Sequence, residues 1–307
     1  MKKKWNTSQL GEKEEIEMHD IFYFTDVHGN YELYRRVINY CKIRDPEATI
    51  IFGGDAADRG THGYQIIKEL ITNPQVVYIK GNHEELFINS AREIIGYCSQ
   101  SDELYTFLHD IHTIEEAEDL IIEVKDTYRN AVLLHVYNGG QPTLVDWLLN
   151  GAPEDLIDAI EDLPITYKYD NKDFCHAGGG PNAFNDVYNF EYYNKGIPPY
   201  NSMRVCLWDR DCNRLGWFPD RICIHGHTPT SHLKIKHNPI FKIENCRPLA
   251  WIGDSSPKKY NGWKIDMDCC TYYSDKLFVL NVLTMEVTGF HKTNEGIEII
   301  PSYKIID

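Results

Sequence analysis

Five short polar segments of this 307-residue chain carry side chains that could do chemistry together. They are Asp26-Val27-His28-Gly29, Gly54-Asp55-Ala56-Ala57-Asp58-Arg59-Gly60, Gly81-Asn82-His83-Glu84, His176-Ala177-Gly178 and Gly226-His227-Thr228. Each offers an Asp, Asn or His, and none offers a thiolate. Such an oxygen and nitrogen donor set suits Mn, Fe or Zn rather than a sulfur site. A carboxylate shared by two ions would make a binuclear centre. Two metals about 3.5–4 Å apart can activate a water and clamp a phosphoryl group in line. The remaining residues suit phosphoryl chemistry too. His83 is a candidate proton donor to a leaving oxygen, Asp58 could orient it, and the planar guanidinium of Arg59 matches phosphate oxygens two at a time.

Each residue alone also has an ordinary structural explanation. Asp26 could be a helix N-cap and His28 a surface residue. Gly81 and Asn82 could form a turn, His176 could pack in a core, and Arg59 could pair with an acid. What separates the functional reading from these is position, because all five segments directly follow apolar strand patterns. Asp20–Phe24, Ala48–Phe52 and Gln75–Ile79 each read as a strand, then a polar turn, then a helical pattern. In the first of those helices Leu33, Val37, Ile38 and Cys41 recur at helical spacing. Strands alternating with helices predict an α/β sheet built from parallel crossovers. In open sheets of this kind ligands bind beyond the strand carboxyl ends, so the five turns can converge.

Residues 93–163 carry helical patterns and no strong strand signal. We expect a helical cap inserted there, within a single domain spanning 20–307. Nine carboxylates and one lysine between Asp102 and Asp126 read as a solvated helix face. Strand signals return at Lys172–Cys175, Arg221–Ile224 and Leu277–Val282. Phe184–Tyr200 reads as an aromatic loop, either lining a substrate groove or packing on the domain. The start of the chain lacks an apolar run behind its lysines, so residues 1–19 are expected to form a loose tail and not a signal peptide.

Basic residues number 31 against 46 acidic ones, a formal charge of −15, which disfavours binding to nucleic acid or anionic membranes. No apolar run approaches the ~20 residues that span a bilayer. The nine cysteines are scattered, with no CxxC spacing, which suits reduced thiols and a cytoplasmic location.

In order, DVHG, GDAADRG, GNHE, HAG and GHT resemble the metallophosphoesterases of the PPP phosphatase superfamily, nearest the bacterial and bacteriophage-type protein serine/threonine phosphatases. The resemblance covers about residues 20–285. NGGQPTL at Asn138–Leu144 and LWDRD at Leu207–Asp211 add to it. It implies a calcineurin-like α/β fold whose central sheet layers are flanked by helices. It implies that Asp26 and His28 bind a first metal, that Asp55 bridges, and that Asn82, His176 and His227 bind a second. His83, paired with Asp58, would be the general acid, and Arg59 and Arg210 would hold the phosphate. The GHT pattern selects His227 and leaves His225, one step inside the strand, as structural.

By the same resemblance the reaction would be hydrolysis of phosphate monoesters, phosphoserine or phosphothreonine above all, through in-line attack by a hydroxide bridging two divalent ions, Mn first and Fe or Zn next. Partners would be a phosphorylated protein or a small phosphate ester, with no stable nucleic acid and no membrane. The chain departs from the pattern in three places. Thr25 stands where glycine usually precedes the first aspartate. Ala56-Ala57 replaces bulkier residues, which predicts looser packing. Asp268-Cys269-Cys270 stands for an Asp-Thr-Gly turn. Pro229 follows GHT, whereas nucleases and cyclic-nucleotide phosphodiesterases of related type carry a second histidine there. The competing readings are a nucleotide-directed hydrolase (dinucleoside polyphosphate, 2',3'-cyclic phosphate or RNA-end phosphate) and a non-catalytic module that binds phosphorylated partners.

Overall fold

Every residue of Ile21–Phe24 (β1) is buried, because both faces of this strand are covered. In the computed structural model Phe22 and Phe24 face a helical layer, and Ile21 and Tyr23 face a second sheet. Successive side chains of a strand point to opposite faces, so a continuous apolar run is what such a sandwiched strand requires. The structure describes residues 18–128, 130–193, 199–211, 215–233, 235, 242–253 and 260–306. Apart from Met18 and His19, the expected N-terminal tail lies outside them.

β1 pairs in parallel with Thr49–Phe52 (β2), and β2 with Val76–Tyr78 (β3). Tyr31–Arg44 (α1) and Gly63–Thr72 (α2) make the crossovers. On the other side of β1, Lys276–Asn281 (β9), Glu286–Thr293 (β10) and Gly296–Lys304 (β11) follow antiparallel, completing a six-stranded sheet. A five-stranded sheet runs in the order β4 (Thr166–Tyr169), β5 (Lys172–Cys175), β6 (Ile222–His225), β8 (Trp263–Asp266), β7 (Leu249–Ile252). Its Phe174, Ile224 and Ile265 meet Tyr23, Ile51 and Leu280 of the first sheet in one apolar layer. Observed strand ends fall within a residue or so of the expected ones.

Helices close both outer faces. Asn82–Cys98 (α3), Asp102–His109 (α4), Ile114–Tyr128 (α5), Ala131–Tyr137 (α6), Gln141–Leu149 (α7) and Glu154–Glu161 (α8) share a core with α1, α2 and the first sheet. α5 turns Ala117, Leu120, Ile121 and Val124 inward. Its acids stay exposed or half-exposed, as a solvated face should. On the second sheet, Pro181–Tyr193 (α9) and Tyr200–Trp208 (α10) bury Phe184, Val187, Cys206 and Leu207. The aromatic loop expected at Phe184–Tyr200 is therefore corrected: through Tyr193 it is a helix, and 194–198 lie outside the described residues. Phe184, Tyr188 and Tyr192 stack at four-residue spacing along α9, with centroids 6.2 and 5.7 Å apart. Thr271–Ser274 (α11) is a single turn leading into β9.

Candidate metal centre

The five turns leave the ends of β1, β2, β3, β5 and β6, and their side chains meet at one point. Of twelve described non-glycine residues with positive φ, six belong to these turns: Asp26, His28, Asp55, Asp58, Arg59 and His227. Such backbone costs of order 1–3 kcal/mol per residue and persists only where the surroundings dictate it. Those surroundings are visible. His28 N–H and Gly29 N–H donate to Asp55 O and Ala56 O, and Asp26 N–H donates to Gly54 O. Gly54, at φ +96°, lies so close to Gly81 that a Cβ would sit 2.7 Å from its Cα and 2.9 Å from His176 Nδ1. Only glycine lets the second and third turns approach the histidine.

Two carboxylates, one amide and three imidazoles face this point, nearly all fully buried. The two oxygens of Asp55 look in different directions. Oδ1 lies 3.2 Å from His176 Nε2, and Oδ2 lies 3.7 Å from His28 Nε2. Asn82 Oδ1 lies 2.9 Å from His176 Nε2 and 2.8 Å from His227 Nδ1. Asp26 accepts from the Thr25 hydroxyl at 2.7 Å and from His227 N–H at 3.1 Å.

This donor set fits a pair of divalent cations. His28 Nδ1–H donates to Ala57 O (3.0 Å), His176 Nδ1–H to Gly53 O (2.8 Å) and His227 Nε2–H to Trp208 O (3.1 Å). Each backbone carbonyl fixes the ring and turns its other nitrogen inward, the usual setting of a ligating histidine. Burial, with Arg59 and His83 nearby, pushes His28 well down, and burial with His176 and Arg210 does the same to His227. Both rings are thus ready as neutral ligands. Burial and then Asp268 push Asp26 well up, because its carboxylate lacks compensating positive charge, which a cation would supply. Burial would lower His176, but Asp55 outweighs it and raises it to about 10, so an ion there must displace a proton.

His83 differs from these three. Its Nδ1–H donates not to a carbonyl but to Asp58 Oδ2, at 2.6 Å. Its Nε2 lies 3.2 Å from Arg59 Nη2. A guanidinium only donates, so that contact describes a neutral imidazole protonated at Nδ1. The ring also lies within ligand reach of His28 and Asp55, so one of the two triads able to hold an ion contains His83 in place of Asp26. Burial lowers His83, yet Asp55 and then Asp58 more than reverse this, and the net shift is upward. Beside it a cleft of about 510 Å³ is lined by Arg59, Arg210, His227, Asp268, Tyr137 and Tyr273 among others. All ten residues singled out from the sequence therefore lie at the centre or on this cleft.

Four contributors went unassigned in the sequence. Glu84 sits at the third position of α3, where one oxygen takes Gly81 N–H and Asp55 N–H and the other takes Ala56 N–H. This capping arrangement starts α3 at Asn82, so Asn82 and His83 lie on its first turn and not in a loop before it. Thr25 adds a hydroxyl to Asp26 where glycine could not. Thr143 Oγ1 accepts Asp58 N–H at 2.9 Å. His135 Nε2 lies 2.8 and 2.9 Å from the two oxygens of Asp58. The looser packing expected at Ala56-Ala57 is not found. Both are fully buried and their backbone is tied to Glu84, Gly29 and His28, so small side chains fit the space available. In the Asp268-Cys269-Cys270 turn, Cys270 takes the left-handed conformation (φ 59°), the conformation glycine adopts most freely. Its N–H donates to Asp268 Oδ1 at 2.7 Å.

A layered α/β sandwich whose strand-end turns gather Asp, Asn and His about one point is the architecture of a metal-dependent phosphoesterase. The model of the calcineurin-like phosphoesterases matches residues 19–278, and the chain belongs to that family. A search of curated proteins finds no match. Among solved structures, a metallophosphoesterase from Sphaerobacter thermophilus is 12% identical over 92% of this chain and 89% of its own, with a TM-score of 0.45. A Saccharomyces cerevisiae protein serine/threonine phosphatase with similarity to human phosphatase PP5 is also 12% identical, over 94% and 81%, with a TM-score of 0.41. These likenesses are distant, and the family assignment rests on the family model alone.

Proposed function

We propose that this protein is a phosphatase that uses two divalent cations, Mn first among them, to hydrolyse phosphate monoesters, with phosphoserine and phosphothreonine of proteins as its substrates. The observation that carries this reading is the division of Asp55: one oxygen faces His176, the other faces His28, and the His83–Asp58 pair lies beside them. In this reading Asp26, His28 and one oxygen of Asp55 hold the first ion. The other oxygen, with Asn82, His176 and His227, holds the second. When bound, the ions supply Lewis-acid polarisation of a phosphoryl oxygen and a lowered pKa for a water.

The rest is done by side chains. Arg59 and Arg210 take the non-bridging oxygens, and two guanidiniums match the two negative charges of a monoester better than the single charge of a diester. As Arg59 turns to phosphate it leaves His83 Nε2 free. With Asp58 holding Nδ1–H and favouring the charged ring, the freed Nε2 takes up a proton from solvent, and His83 delivers that proton to the leaving oxygen. Proton transfer of this kind is worth about 10²–10⁴ in rate. The eight described cysteines are buried and form no disulfide with one another, which favours a reducing, cytoplasmic setting. No helix of the described residues is long and apolar enough to cross a membrane.

The test is hydrolysis of p-nitrophenyl phosphate beside bis-p-nitrophenyl phosphate, with and without added Mn, followed by phosphoserine and phosphothreonine peptides. Mn-dependent monoester turnover with a slow diester, then turnover of the peptides, is expected. Preference for the diester would shift the assignment to nucleotide substrates, and no turnover of either would favour a binding module.

A further inference from the structure

We propose that His135 is a positioning residue for the general acid, fixing Asp58 from behind so that Asp58 can hold His83. The inference rests on the reading of His83 as proton donor. An ionised carboxylate only accepts hydrogen bonds, so both rings must donate to Asp58. His83 Nδ1–H takes Oδ2 at 2.6 Å, and His135 Nε2–H spans Oδ1 and Oδ2 at 2.8 and 2.9 Å. The Asp58 backbone N–H is held by Thr143. Asp58 and His135 are fully buried, so water does not share the carboxylate. Without His135 one oxygen of Asp58 would be left buried and unpaired, and the side chain could rotate away from His83.

The surrounding chain is shaped around this ring. Gly140 has an ordinary φ of −81°, so its conformation does not call for glycine. A Cβ there would nevertheless lie 2.0 Å from His135 Cδ2. The space left by Gly140 is what admits the imidazole, while Phe87 packs near it with a centroid distance of 6.1 Å. The preceding Gly139 carbonyl accepts Arg59 N–H at 2.8 Å. α6, α7 and the turn between them thus hold Arg59 through the Gly139 carbonyl and Asp58 through His135 and Thr143. His135 Nδ1 has no hydrogen-bond partner among the described residues. A buried ring carrying an idle nitrogen costs stability, and the bond from its other nitrogen to Asp58 helps to offset that cost.

The test compares His135→Gln, whose amide can still reach Asp58, with His135→Leu, which cannot donate, in the Mn-loaded protein. We expect kcat for an alkyl phosphate to fall about 10–100-fold in His135→Leu, the usual range for removing a partner one step behind a reacting group. KM should stay unchanged. Turnover of p-nitrophenyl phosphate, whose leaving group needs no proton, should change far less, and His135→Gln should restore the alkyl rate. If His135→Leu does not fold, His135→Asn, too short to reach Asp58, takes its place. Equal losses on both substrates, or equal losses in the Gln and Leu variants, would overturn the proposal. A second readout needs no metal: the low-field proton of the short His83–Asp58 bond should be present in wild type and His135→Gln and absent in His135→Leu. Its survival in His135→Leu would also overturn the proposal. Should His83→Asn itself keep full alkyl turnover, the reading of His83 as acid fails, and the proton signal still decides whether His135 positions Asp58.

Discussion

Two buried histidines stand behind the candidate centre, one on the helical side and one in the second sheet, and they make an informative pair. His135 on α6 and His225 at the end of β6 are both fully buried. Each ring lies against a glycine of the neighbouring motif, Gly140 for the first and Gly178 for the second, where a Cβ would come within 2.0 and 2.6 Å. Each has one ring nitrogen without a hydrogen-bond partner among the described residues. What differs is the other nitrogen. That of His135 grips Asp58, whereas His225 Nδ1 reaches only the carbonyl of the next residue, Gly226, at 3.1 Å, with Asp266 no nearer than 3.9 Å. Burial and nearness to a motif are common to both. The partner alone separates a ring that can act on the chemistry from one that fills space.

The largest test of this contrast removes the shared acceptor. Asp58→Asn cannot take two ring donors as a carboxylate does, and it turns an amide N–H₂ towards one of them. We expect kcat for an alkyl phosphate to fall by about 10²–10⁴, the full worth of a positioned proton donor. The loss on p-nitrophenyl phosphate should be much smaller, and equal losses would show that Asp58 serves folding and not proton delivery. Gly140→Ala is the milder form of the same test. Its methyl would drive His135 off Asp58, and such overpacking costs about 1–3 kcal/mol, read as a lower melting temperature. The alkyl rate should fall about 10-fold, near the low end for a residue one step behind the chemistry. A protein that melts earlier but keeps its alkyl rate would show that the ring can move without consequence.

The same contrast explains what the sequence makes legible. Asp26, Asp55, Asn82, His176 and His227 stand out because each sits in a glycine-bearing turn directly after an apolar strand, so residue type and position coincide. His225 reads as structural because the GHT pattern already assigns its neighbour. His135 offers no such sign: it lies in an ordinary helical stretch, and its partner Asp58 is 77 residues away. Only the three-dimensional approach of α6 to the second turn gives it meaning. The NGG that follows lies beside it, but that Gly140 makes room for the ring shows only in the structure, where its backbone is ordinary and a Cβ would meet the imidazole. α9 is misjudged for a different reason. Asn, Asp and Tyr are indifferent helix formers and favour a loop on propensity, while the helical spacing of Phe184, Val187 and Tyr188 points the other way and prevails through packing on the second sheet.

The smallest expected effect on activity belongs to His225. His225→Leu removes a ring of similar bulk that touches no residue of the proposed proton path, so alkyl and p-nitrophenyl rates should both stay near wild type. Its effect should appear instead in the pH dependence of stability. Burial, reinforced by Lys264, lowers His225 to about 3, so the folded protein keeps the ring neutral. The unfolded chain takes up a proton below its ordinary value of about 6.5. The folded state binds fewer protons in that window, so its stability is greatest above about pH 6.5 and declines as the pH falls towards 3. Leucine cannot titrate, and the variant should show a shallower decline in urea unfolding between those limits. A decline as steep as wild type would mean that the acid sensitivity lies with other buried groups. A selective loss of alkyl turnover would mean that the second-sheet wall also acts on the proton donor, and the distinction drawn between the two histidines would fall.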